Sequence, residues 1–74
     1  MGVGVQMKFE TFGDRLKTLR LEKGWLIKEL SDRSRISRTT VGQYERGELH
    51  PGYWNLLELA KVLDAPLDYL CGVV

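Results

Sequence analysis

From Thr11 to Gly72 the apolar positions recur at helical spacing, and no segment alternates as a strand would. Phe12, Leu16 and Leu19 fall at i, i+4 and i+7 and predict one buried stripe. Thr11 with Asp14 three residues on is a capping-box pattern, in which hydroxyl and carboxylate satisfy free N–H groups of the first turn. Gly24 after Lys23 predicts the end of that helix. A short second helix is expected from about Ile27 to Ser34, turned inward by Leu30 with Leu26 or Ile27 beside it. "SRIS" then breaks the pattern. Ser37 is a good N-cap for a third helix, Arg38 to Arg46, which Gly47 ends. Ile36 before that cap and Val41 after it have the spacing of a hydrophobic staple.

Pro51-Gly52 marks a loop, and "YWNLLELAKVL" after it is the strongest amphipathic segment. Its broad apolar side is expected to hold Tyr53, Leu56, Leu57, Ala60 and Leu63. Asp64-Ala65-Pro66 is a break, with Pro66 suited to the start of a final turn or two, Leu67 to Cys71, before Gly72. The fold class is therefore all-α, a bundle of about five short helices. Residues 1–7 read as a flexible leader and 8–74 as one domain, which is all that 74 residues allow.

Charge changes this picture once the chain is divided. Lys8 to Gly47 carries ten Lys/Arg against six Asp/Glu, whereas Glu48 to Val74 carries one Lys against four acids. That asymmetry suggests a face that meets something anionic, but small helical domains carry charged surfaces anyway, and charge alone does not choose between the two. On a helical wheel, Arg38, Thr39, Gly42, Gln43 and Arg46 share one side, spread within roughly 140°. Thr40, Val41, Tyr44 and Glu45 take the other. Arginine can fork onto guanine, glutamine can pair twice with adenine, and threonine offers a hydroxyl and a methyl to thymine. A glycine in that face costs about 1 kcal/mol of helix propensity against alanine, and lets the helix approach a groove closely.

Other chemistries recede. One histidine (His50) and one cysteine (Cys71) leave no Cys/His zinc set and no intrachain disulfide. Ser37, His50 and Asp64 have no nucleophile elbow around them, and no glycine-rich loop follows a strand, so no enzyme and no cofactor are expected. His50 reads as a loop surface residue. The longest apolar runs are three residues, far short of the ~20 that span a bilayer. A cytoplasmic protein with no membrane or small-molecule partner is the expectation.

From Phe12 to Leu70, without insertion, the chain resembles the phage-repressor and Cro-like (XRE-type) helix-turn-helix family. "RLKTLRLEKGW" at 15–25, "KEL" at 28–30, "ISRTTVGQYERG" at 36–47, Pro51 and "NLLELAKVLDAPLDYL" at 55–70 carry the likeness. The resemblance implies the fold of lambda-repressor-like DNA-binding domains. It implies a transcription regulator, most simply a repressor, that binds double-stranded DNA as a homodimer with its third helix in the major groove. Arg38, Thr39 and Gln43 would then read bases, and Arg46 would lie near a phosphate. Lys28, Arg33, Arg35 and Ser37 complete the expected backbone contacts, and Arg20 with Glu45 would form an ion pair clamping the first helix to the third.

Departures from the family pattern qualify the grip on the backbone. Leu26 and Ile27 stand where the family usually has a capping Ser or Asn followed by Gln. Arg35 replaces the usual turn glycine, so either that residue is left-handed or the turn differs from the family's. Glu48-Leu49-His50 replaces a loop that is often basic. Modest affinity per monomer is the expectation, raised by dimerisation through Leu70, Val73 and Val74, with Trp54 a surface or dimer contact ahead of a DNA-backbone contact. The alternative is a protein-interaction module on the same fold, antitoxin- or adaptor-like, that uses Leu26 and Ile27. Trp25 is expected to pack in the core.

Overall fold

The computed structural model describes residues 11–72. The expected leader, 1–7, lies outside these residues, as do Val73 and Val74. Among the described residues there are five helices: α1 (Phe12–Glu22), α2 (Ile27–Ser34), α3 (Arg38–Arg46), α4 (Tyr53–Leu63) and α5 (Leu67–Cys71). The dihedral and cap signals act where they were expected. Thr11 Oγ1 accepts the Asp14 N–H at 3.1 Å while Asp14 Oδ2 accepts the Thr11 N–H at 3.2 Å, closing the capping box. Gly24 and Gly47 both have positive φ after their helices.

One core joins all five elements. It is built from Phe12 and Leu16 of α1, Leu30 of α2, Ile36 of the following turn, and Val41 and Tyr44 of α3. Leu59, Ala60 and Leu63 of α4 and Leu70 of α5 complete it. Trp25 and Ile27 pack against it from the edge. The helix α1 lies on α3 and α5, α2 lies on α3 and α4, and α4 lies on α5. Gly13 permits the close approach of α1 to α3. A Cβ there would stand 2.5 Å from the Glu45 carbonyl oxygen and 2.6 Å from that of Tyr44, so only glycine lets α1 rest on the end of α3.

Two expectations need correction. The inward stripe of α4 is Leu56, Leu59, Ala60 and Leu63, at i, i+3, i+4 and i+7, so Leu59 belongs to the core. Tyr53 does not: it precedes that stripe in the first turn and stands in solvent, its ring edge-on to Trp54 at 5.2 Å. Leu70 is fully buried beneath α1, where the Arg15 Nε–H donates to its carbonyl at 3.2 Å. As a core residue it offers nothing to a second subunit.

Candidate nucleic-acid interface

Helices α2 and α3 meet through a three-residue turn, 35–37, and the geometry of that turn aims α3. Arg35 is left-handed, at φ 63° and ψ 27°. A residue with a Cβ pays roughly 1–2 kcal/mol for that conformation, so its surroundings must hold it. They do so through two buried serines on the inner face of α2. The Ser31 hydroxyl donates to the Ile36 carbonyl at 2.5 Å, and Ser34 Oγ accepts the Ile36 N–H at 3.3 Å. The Arg35 N–H closes onto the Ser31 carbonyl at 2.8 Å. Sequence reasoning missed both serines. Small polar residues three apart, just before a break, were the available signal.

The start of α3 is fixed by Ser37. Its Oγ accepts the Thr40 N–H at 3.2 Å, and its hydroxyl donates to Thr40 Oγ1 at 2.9 Å. The start of α2 has no such cap, because Leu26 offers no acceptor. Only the reciprocal half remains: Glu29 Oε1 accepts the Leu26 N–H at 2.8 Å. Leu26 itself is 67% exposed, whereas Ile27 packs on the core. The two-residue apolar patch considered for a protein partner is therefore a single leucine.

The inner face of α3 is anchored by charge as well as by Val41 and Tyr44. Arg20 Nε and Nη2 donate to the two Glu45 carboxylate oxygens at 2.7 and 3.0 Å. Arg20 Nη1 donates to the Trp25 carbonyl at 2.7 Å. Both side chains are less than a tenth exposed. Tyr44 adds a link to α4, accepting from Asn55 Nδ2 at 2.9 Å.

The outer face differs in kind. Arg38 and Thr39 are exposed and Gln43 is half-buried. Among the described residues these three side chains make no hydrogen bond or ion pair, and neither does Arg35. The remaining expected contact residues are already occupied. Lys28 pairs with Asp32 at 3.4 Å, and the Arg33 guanidinium stacks 4.4 Å above the Trp25 ring. Arg46 is held by Glu48: Nε and Nη2 donate to its two oxygens at 2.9 and 3.1 Å. This hydrogen-bonded pairing raises the Arg46 pKa and holds Glu48 below the ordinary carboxylate value. Glu48 was also missed, since no local rule connects a residue beyond the helix to one in its last turn. Gly42 is buried because Arg46 folds back over it; a Cβ at 42 would meet Arg46 Nη1 at 3.0 Å.

The geometry is thus a bundle that presents α3 outward behind a wired turn, with unengaged Arg38, Thr39 and Gln43 along its outer face. A helix-turn-helix family model matches residues 16–70, and the chain belongs to that family. Among its relatives, the SPbeta prophage-derived HTH-type transcriptional regulator YonR of Bacillus subtilis is 36% identical over 59 residues, covering 80% of this chain and 55% of that one. The HTH-type transcriptional regulator ImmR of the same organism is 32% identical over 62 residues, covering 84% and 49%. The chain therefore spans about half the length of these relatives. In three dimensions it is similar to the P22 c2 repressor solved in complex with a synthetic operator, with TM-score 0.82, 30% identity, and 86% of this chain matched to 97% of that one. It is also similar to the restriction-modification controller protein C.AhdI of Aeromonas hydrophila, with TM-score 0.78, 36% identity and the same coverage. No helix among the described residues is long and apolar enough to cross a membrane.

Proposed function

We propose that this chain is a sequence-specific double-stranded DNA-binding domain of a transcription regulator, most simply a repressor, without catalytic activity and acting in the cytoplasm. The observation that carries this reading is the outer face of α3. Its unengaged Arg38, Thr39 and Gln43 stand on a fold shared with a repressor solved on its operator. Arg38 and Gln43 discriminate bases in the major groove, each bidentate contact contributing about 1–3 kcal/mol, and Thr39 adds a hydroxyl or methyl contact. Lys28, Arg33, Arg35, Ser37 and Arg46 face the phosphates; the unpaired cations among them supply a salt-dependent share of affinity, and the Ser37 hydroxyl adds position rather than charge.

The relatives' names support regulation, and the P22 c2 repressor's operator complex supports duplex DNA as partner. A homodimer would set two α3 helices in successive major grooves about 34 Å apart. Selection of bound sequences from a random duplex pool tests the whole reading. A near-palindrome is expected, with Arg38→Ala and Gln43→Ala relaxing preference at particular positions and Arg35→Ala weakening all sequences alike. A pool that yields no enriched sequence at low salt overturns it.

A further inference from the structure

Arg46 occupies the end of the outward face, but it does not present a free charge there. Its side chain turns back toward the start of α3 and covers Gly42, where any larger residue would press on the guanidinium. Glu48 takes the Nε and Nη2 donors together, in the parallel two-bond arrangement that a phosphate would also use. The stem that carries this carboxylate is fixed, because the Glu48 N–H donates to the Gln43 carbonyl at 2.9 Å and the Gly47 N–H to that of Tyr44 at 3.2 Å. Both side chains remain more than half exposed, so an incoming polyanion meets the pair directly. What it meets is neutral as a unit. Releasing counterions from DNA requires net positive charge at the phosphate, and a paired Arg46 supplies none until Glu48 lets go.

We propose that Glu48 is a built-in competitor for phosphate at Arg46, a residue that lowers affinity for every duplex alike. The inference rests on the DNA-binding reading above. Because a phosphate reaches these two donors only by displacing the carboxylate, the cost is taken from selected and random sequences alike.

The test is equilibrium binding of the wild type, Glu48→Gln, Arg46→Ala and the double variant to a selected and a random duplex, between about 50 and 200 mM salt. Glu48→Gln is expected to bind both duplexes about threefold more tightly, the size of one exposed ion pair. Its dependence of log affinity on log salt should steepen by about 0.9, one further phosphate neutralised. In the Arg46→Ala background the same substitution should gain almost nothing. An equal gain in that background would overturn the proposal, since it would mean that Glu48 acts only as a repelling charge. Weaker binding by Glu48→Gln would overturn it too, since the carboxylate would then be orienting Arg46 for DNA. Failure of both the wild type and Glu48→Gln to bind any duplex would instead remove the DNA-binding reading on which it stands.

Discussion

Two neighbouring residues of α3, Glu45 and Arg46, each enter a two-bond arginine–glutamate pair, and the pairs lie on opposite faces of the helix. The bond lengths are nearly the same: 2.7 and 3.0 Å inside, 2.9 and 3.1 Å outside. Their surroundings are not. The inner pair is under a tenth exposed and has a third bond, to the Trp25 carbonyl; the outer pair is more than half exposed and has none. Water screens the outer pair and competes for its donors, so it contributes little to folding. The inner pair is cut off from water, and each partner depends on the other. Equal geometry thus gives one pair a structural role and leaves the other free to be exchanged for a different anion.

The most direct way to break the comparison is to remove one inner partner. Glu45→Ala leaves the Arg20 guanidinium buried with only the Trp25 carbonyl, and a stranded buried charge costs about 3–5 kcal/mol. For a domain of this size that is a large fraction of total stability. Urea unfolding should show the midpoint collapse. A loss below about 1 kcal/mol would mean that water reaches Arg20 and that the two pairs are alike. Replacing both partners together by apolar residues of similar volume should cost much less than the single change, because no charge is then stranded.

The seam that holds the inner pair can be tested without touching charge. Gly13 lies where α1 crosses the Tyr44 and Glu45 carbonyls, and a methyl group at 2.5 Å from backbone oxygen forces the helices apart. Gly13→Ala is expected to cost about 1–3 kcal/mol, the usual range for overpacking, despite alanine's better helix propensity. A gain in thermal midpoint would show instead that α1 can shift freely, and that Arg20 and Glu45 are not closely positioned by the backbone.

What the sequence made legible follows from the same division. The wheel separated Val41 and Tyr44 from Arg38, Thr39 and Gln43 because a helix face depends only on spacing. Ser37 and Thr11 were readable because a cap is a local contact. The substituted glycine at Arg35 left two readings, a left-handed residue or a different turn, and the structure shows the first. Gly13 and Glu48 were not readable, since their roles depend on how close a second element comes or on a side chain bending back, whereas Ser31 and Ser34 were missed although their spacing before the break was a signal. Leu59 and Tyr53 were misjudged for a related reason: the pattern of α4 permits a broad apolar side, and only packing decides which edge of it is covered. The exposure of Leu26 and burial of Ile27 were left open by the sequence for that same reason.

The smallest expected effect belongs to the outer pair, and its pH dependence separates it from the inner one. The Arg46 bonds hold the Glu48 carboxyl below its ordinary value of 4.5 in the folded state. A lowered folded pKa means that the pair favours folding above the unfolded value and loses that contribution as pH falls through the lowered one. Near neutral pH it is fully formed, and breaking it should leave the thermal midpoint almost where it was. Carboxyl NMR titration of Glu48 should give a midpoint under 4.5 that returns to the ordinary value in Arg46→Ala. High salt should move it in the same direction, because an exposed pair is screened. A Glu48 midpoint that ignores both the arginine and the salt would show that the carboxylate is not held by Arg46 in solution. Arg46 would then reach the phosphates unopposed, and the two faces of α3 would differ only in burial.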